Sequence, residues 1–188
     1  LVTTGTLFNT AGGGPGPWSN IAVNAGGTLK STNSVYSINA LNFDNSSLIG
    51  PSDLTGNTFA LPIYVPYTAL PLIASNASFK DVHISTATVP TGAVALNMIG
   101  QNTSNLAYYF DGNFTIATGA TLSVASNVRA FLNAGIILSI NGMATVGTGA
   151  TVTMVLGGYA TTQIAVNSGG TLVTTGTLFN TAGGGPGP

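Results

Sequence analysis

Residues Leu1 to Pro17 return without a change as Leu172 to Pro188, so the chain repeats itself at an offset of 171. A domain that merely needs two similar strands tolerates drift, whereas identity over the whole of this stretch marks a tandem array of near-identical units. Residues 1–171 then form one unit and residues 172–188 begin the next. Gly169, Gly170 and Thr171 lead into the second copy, but Leu1 starts in the middle of that motif and without Met, which reads as a cut through a longer chain or polymer.

A shorter repeat lies inside the unit. Ile21–Leu29 (Ile-Ala-Val-Asn-Ala-Gly-Gly-Thr-Leu) matches Ile164–Leu172 with one difference, and the match continues weakly through Thr32 with Thr175, Val35 with Leu178 and Tyr36 with Phe179. Phe114–Val124 and Ala144–Met154 are looser copies. Apolar residues alternate on both sides of a Gly-centred bend, the pattern of strand, tight turn and strand, with Gly supplying positive φ. The turn residues are Gly26, Gly27, Thr28 and Leu29; Gly119, Thr121 and Leu122; Gly149, Thr151 and Val152; and Gly169, Gly170, Thr171 and Leu172. Thr121, Thr151 and Thr171 are 30 and 20 residues apart, and 28 separate Thr171 from the Thr28 of a following unit. These spacings suit an all-β, parallel β-solenoid, in which each coil buries its apolar face only by stacking on its neighbours. A coil of about 24 residues gives about seven coils per unit, which would advance roughly 34 Å at about 4.8 Å each.

The surface of such a solenoid would be almost uncharged. Lys30, Lys80 and Arg129 are the basic residues and Asp44, Asp53, Asp81 and Asp111 the acidic ones, so 4% of the chain is charged where about a quarter is usual. Little net charge keeps copies apart, which points to self-association as the partner relation. Nucleic acid is excluded as a partner, because phosphate contacts need clustered Lys and Arg. The absence of Cys removes disulfides, thiolate metal sites and Cys nucleophiles together. Ala134–Leu156 is the most apolar stretch, yet Gly, Thr, Ser and Asn interrupt it and its apolar residues alternate, so it reads as strands rather than as a membrane span.

Between the motifs, Ala11–Pro17 (Ala-Gly-Gly-Gly-Pro-Gly-Pro) is a loop projecting from a coil corner, since Pro donates nothing to a ladder. Trp18, the single Trp, packs under that loop or contacts a neighbouring fibre. From Ser34 to Gly50 alternation puts Val35, Ser37 or Ile38, Leu41, Phe43 and Leu48 on one face, with Asn39, Asn42 and Asn45 between them. Asn at coil corners stacks into ladders or adopts left-handed geometry. Pro51, Pro62, Pro66 and Pro71 argue against a central strand and predict an excursion from the coil over 51–71. Strands resume over Ala77–Val89, Val94–Met98 and Leu106–Phe110, and no segment has a helix cap followed by an amphipathic run.

Little chemistry is visible. Asp81 beside Lys80 and His83 is the one cluster of titratable side chains, and alternation puts Asp81 and His83 on the same face. A lone His with no second His or Cys is not a metal site, calcium repeats would show regularly spaced Asp, and Gly12–Pro17 lacks the Lys and Ser or Thr of a phosphate loop. No catalytic group, metal or cofactor is expected. Asn45, Asn76, Asn102 and Asn113 stand in glycosylation sequons, which mark surface loops in secreted chains. Thr3–Thr6, Thr86–Thr88 and Thr151–Thr153 would, as exposed rows, order water or bind sugars, although Thr is also simply a good strand residue.

Asn24–Leu29 and Asn167–Leu172 resemble the repeats of autotransporter passengers and giant bacterial surface adhesins. The resemblance implies a right-handed parallel β-helix at the cell surface, with roles in adhesion, aggregation and biofilm; it carries over no functional residue. The expectation is a non-enzymatic repeat of a long extracellular fibre, joined end to end with its own kind, with lateral bundling of fibres as a further contact. The alternatives are an adhesin recognising glycan or ice through Thr rows, a polysaccharide-cleaving enzyme, and a β-sandwich pilin that receives a neighbour's strand.

Overall fold

A computed structural model describes residues 1–9, 19–101, 103, 106–157 and 160–183. The Gly/Pro loop at 11–17, Trp18 and the sequon at Asn102 lie outside the described residues. The chain is 53% strand and 4% helix, and its parallel strands stack as coils of a β-solenoid of about six turns. Two compact units divide it: residues 1–83 with 99–106, and residues 84–98 with 107–188.

In the first unit the strands are β1 (Val2–Thr4), β2 (Leu7–Asn9), β3 (Asn20–Val23), β4 (Lys30–Thr32), β5 (Val35–Ser37), β6 (Ala40–Phe43), β7 (Leu54–Thr55), β8 (Thr58–Val65) and β9 (Ser78–Ile84). Each coil has three sides. β1, β4 and β7 stack on one, β2, β5 and the start of β8 on the second, and β3, β6 and the end of β8 on the third. The register places Val2 opposite Lys30 and Leu7 opposite Val35, a step of 28 residues, then Val35 opposite Thr58, a step of 23.

In the second unit β10 (Ala87–Val89), β11 (Gly92–Leu96) and β12 (Ala107–Phe110) form the first coil. β13 (Phe114–Ile116), β14 (Ala120–Val124) and β15 (Arg129–Leu132) form the next, then β16 (Ile137–Ile140), β17 (Met143–Val146) and β18 (Thr151–Val155), and finally β19 (Gln163–Val166), β20 (Thr171–Thr174) and β21 (Leu178–Ala182). Every ladder is parallel. Period-two alternation accounts for the core: Val94, Leu122 and Ala144 point inward in one file and Leu96, Val124 and Val146 in another, all buried. Full burial of such a side chain contributes about 1.5–3 kcal/mol. An interior hollow of this unit, about 20 Å³, is lined by apolar side chains.

Four expectations change. The turn count is about six rather than seven, with chain spent off the ladder in a 3-10 turn (Tyr67–Ala69) and a four-residue helix α1 (Leu70–Ile73). The threonine spacing of 30 and 20 does not measure coils: Thr121 and Thr171 share a file through Met143, in steps of 22 and 28, while Thr151 sits on another side, opposite Arg129. On β5 the inward residue is Tyr36, wholly buried, and Val35 and Ser37 face out; Leu48 is also exposed.

The Pro-rich stretch is the fourth change, since it contributes a long central strand. β8 pairs with β5 at Thr58 and Phe59 and with β6 at Ile63 and Tyr64. Pro62 falls where the strand passes from one side of the coil to the next, between the segments paired with β5 and with β6, so its missing N–H costs no bond in either of those two paired segments. Pro66 precedes the 3-10 turn and Pro71 lies in the first turn of α1, positions that need no N–H donor.

Candidate assembly interface

The corners are built by backbone conformation. Gly26, Gly119, Gly149 and Gly169 have φ between 71° and 84°, which is the reason the motif starts with Gly. The residue that closes the motif points inward: Leu29, Leu122 and Val152 are buried, and Leu172 lies opposite Ala144 in the same inward file as Leu122. Thr28, Thr121 and Thr151 are half-buried and Thr171 exposed. Gly27 and Gly170 are Gly for a different reason, because a Cβ on Gly170 would overlap Ile140 O and one on Gly27 would stand 2.8 Å from Asn24 O.

Each unit has another corner with left-handed residues, most of which sequence reasoning did not single out. Gly5, Asn33 and Gly56 line it in the first unit, and in the second Asn127 and Gly176 join the motif residue Gly149. At Gly5, Asn33, Gly56, Asn127 and Gly149 the backbone N–H reaches a carbonyl of an adjacent coil, as in Gly5 N to Thr32 O (2.9 Å) and Asn33 N to Thr55 O (3.0 Å). A Cβ on Gly56 would overlap Asn33 Oδ1, and one on Gly149 would overlap Asn127 Oδ1. Asn adopts this conformation more readily than other side chains, and its amide covers the Gly of the neighbouring coil.

Beneath that corner runs a buried polar file. Asn57 Nδ2 donates to Ser31 O (2.8 Å) and Asn76 Oδ1 (2.8 Å), while its Oδ1 accepts from Ser34 N (2.9 Å) and Ser31 Oγ (3.0 Å). Asn76 Nδ2 donates to Ile73 O and Leu54 O, and Tyr36 Oη donates to Ser31 Oγ at 2.7 Å. Asn side chains therefore bond across coils at 57 and 76, and again at 141 and 167. The first of these pairs also removes Asn76 from the set of surface sequons, because that side chain is buried and fully bonded. Beside the file, Phe8, Tyr36, Phe59 and Phe79 stack ring on ring at 4.7, 5.2 and 5.3 Å, each such pair adding about 0.5–1.5 kcal/mol beyond burial.

The two copies of the repeated segment adopt one local structure in two settings. Val2–Thr4 and Leu7–Asn9 are strands about Gly5 at φ 57°, and of the equivalent residues Val173, Thr174 and Leu178 to Asn180 lie in β20 and β21 about Gly176 at φ 55°. In the first copy Leu1 O, Gly5 N and Thr6 O bond to Lys30 N, Thr32 O and Val35 N of the coil that follows. In the second, other groups of the segment are engaged: Thr175 N, Leu178 N and Gly176 O bond to Val146 O, Ala150 O and Gly149 N of the coil that precedes. Among the described residues β1 and β2 begin their rows and β19, β20 and β21 end theirs. Beside β21 opens an apolar hollow of about 420 Å³, lined by Met154, Ile164, Val166, Leu172 and Phe179 among others.

Asp81 and His83 are half-buried, and the His83 ring lies 4.4 Å from that of Tyr64. Among the described residues no three His, Cys, Asp or Glu side chains gather as metal ligands, and no helix is long and apolar enough to cross a membrane. Of the Thr rows, Thr86 and Thr88 are exposed but Thr153 is buried. The outward files of β11, β14, β17 and β20 are mixed: Ala93, Thr121, Met143 and Thr171 in one, Ala95, Ser123, Thr145 and Val173 in the other. An ion pair, Lys30 Nζ to Asp53 Oδ1 at 3.1 Å, joins neighbouring coils. Asp53 also accepts from Gly50 N (2.7 Å), and this bond, ahead of Lys30, holds its carboxyl below the usual value against a smaller opposing effect of burial. Burial pushes the Tyr108 hydroxyl above its ordinary value while it donates to Asn97 O.

No protein-family model, curated protein or solved structure matches the chain at a significant level.

Proposed function

We propose that this chain is a structural repeat of a long extracellular β-solenoid fibre whose purpose is reach and cohesion rather than catalysis. The observation that carries the reading is the double setting of one segment. Residues 1–9 bond to a following coil and residues 172–180 to a preceding one, so the two copies together display both neighbours such a segment would have within an array. Superposed, they give a junction in which Val152, then Phe179 in the place of Phe8, then Tyr36 continue one inward file. The near absence of charge suits dense packing of such fibres. The mixed outward files favour this reading over ice or glycan recognition, for which a glycan array remains the direct assay.

The test is a two-repeat chain in which residues 172–188 run on into residues 18–188 of a second unit. Amide exchange at Gly176 should slow by about 100-fold as that N–H gains the bond that Gly5 makes; an unchanged rate refutes the array. An antibody raised against residues 143–155 should label filaments outside cells, and label confined to the interior refutes the extracellular role.

A further inference from the structure

Three of the four glycosylation sequons lie among the described residues, and the fold treats each differently. Asn76 is closed. Its side chain is 3% exposed and its Nδ2 donates to both Leu54 O and Ile73 O, so a sugar on that nitrogen would break one of these bonds and find no space. Asn45 is exposed in the turn after β6, where Ser46 N and Ser47 Oγ bond to Asp44. Asn113, immediately before β13, is exposed and also oriented. Its Oδ1 accepts from Ile137 N of the neighbouring coil at 2.9 Å. A backbone N–H can bond only to an acceptor, so the amide oxygen is the atom held against the coil and Nδ2 is the atom left over. Among the described residues that nitrogen has no hydrogen-bond partner. Alternation then places the other half of the sequon, since Phe114 is buried and Thr115 returns to the outward side, in a file with Thr88 and Ser139. Nitrogen and hydroxyl therefore share one face.

We propose that Asn113 is an acceptor of an N-linked glycan. Nδ2 attacks C1 of a glycosyl diphosphate: the N–C1 bond forms, the C1–O bond to the diphosphate breaks, the diphosphate leaves with that electron pair, and Nδ2 gives up one of its two protons to a base. The product keeps Oδ1 and one N–H, so the bond from Ile137 N survives and the modified chain reaches the same fold. The same transfer at Asn76 would break the buried polar file, so folded chains carry no sugar there. With 4% of its residues charged, the chain has little else to hydrate its surface, and a bulky neutral glycan is solubilising. Placed at Asn113 it covers the face of β10, β13, β16 and β19 and leaves lateral contacts between fibres to the other faces. The inference rests on the proposed extracellular role, because sequons are used in secreted chains.

The test uses filaments recovered from outside cells with the antibody against residues 143–155. Trypsin cuts after Lys80 and Arg129, and electron-transfer fragmentation of the peptide between them should place a sugar mass on Asn113. A single sugar identifies a nucleotide-linked donor and a longer chain a lipid-linked one; either supports the assignment. Thr115→Val keeps a β-branched residue in the strand and should lose the modification, whereas Thr115→Ser should retain it, with far-UV circular dichroism confirming that both chains are folded. A bare Asn113 in the recovered filaments, whether or not Asn45 carries sugar, overturns the proposal and leaves the extracellular reading standing, because the antibody recovers the filaments in either case. Sugar retained in folded Thr115→Val shows that the sequon hydroxyl is not used and overturns it equally, and sugar on Asn76 in folded filaments overturns the ranking of the sequons by burial.

Discussion

Asn57 is the residue whose loss the first unit should tolerate least. Its side chain is 0% exposed and joins three coils through four hydrogen bonds. Asn57→Leu keeps the size but strips the Ser34 N–H and the Ser31 C=O of these partners, while Asn76 Oδ1 keeps the bond from Asn57 N. Two buried groups left unsatisfied at about 1–3 kcal/mol each give a loss of about 2–6 kcal/mol, a large part of the roughly 5–15 kcal/mol that holds a domain folded. At about 2 kcal/mol per molar for urea, the unfolding midpoint should fall by about 1–3 M. Hydrogen exchange reads the same event locally, with the Ser34 amide losing protection first. As a control, Asn133→Ala removes an exposed bond to Asp111 and should change stability by less than about 0.5 kcal/mol. A loss below about 1 kcal/mol in Asn57→Leu, or an unaltered Ser34 amide, would show that the buried file does not hold the coils in place.

Two glycines in corresponding turns of adjacent coils should fail for different reasons and by different amounts. Gly142→Ala drives a Cβ into the carbonyl oxygens of Ala117 and Ala120, whereas Gly119→Ala meets nothing within 4 Å and bears only the strain of φ 84°, about 1–2 kcal/mol; thermal melting should therefore rank Gly142→Ala as the worse, and the reverse order would contradict the packing. Acid should weaken the first unit through Asp53. Its folded pKa lies below the unfolded one, so its contribution is complete above the unfolded value, about 3.9, and disappears as pH falls through the folded value. Melting temperatures followed down to pH 2 should drop less steeply in Asp53→Asn than in the parent, and parallel curves would assign the acid sensitivity elsewhere.

The solenoid was legible because its signals are local. Alternation on both sides of Gly26, Gly119, Gly149 and Gly169 defines strand, turn and strand without reference to any partner, and positive φ at each is what a residue without Cβ provides. The junction was half legible: the identity of residues 1–17 and 172–188 is written in the chain, but the opposite edges that the two copies engage are not. Pro62 misled because a proline forbids a ladder bond only where one is required, and β8 changes partners around it.

By itself, then, the sequence determined a β chain of turning coils that carries its own beginning at its end, since both properties depend on residues adjacent in order. Tertiary structure decided the rest. Tyr36 rather than Val35 faces the core, Thr151 lies on a different side from Thr121, and Asn57 and Asn76 bond beneath a corner whose left-handed residues are 28 and 23 positions apart. A slip of one residue in register reverses every side chain of a strand, and register is set by neighbours some 20 to 28 residues distant, where no local pattern reaches.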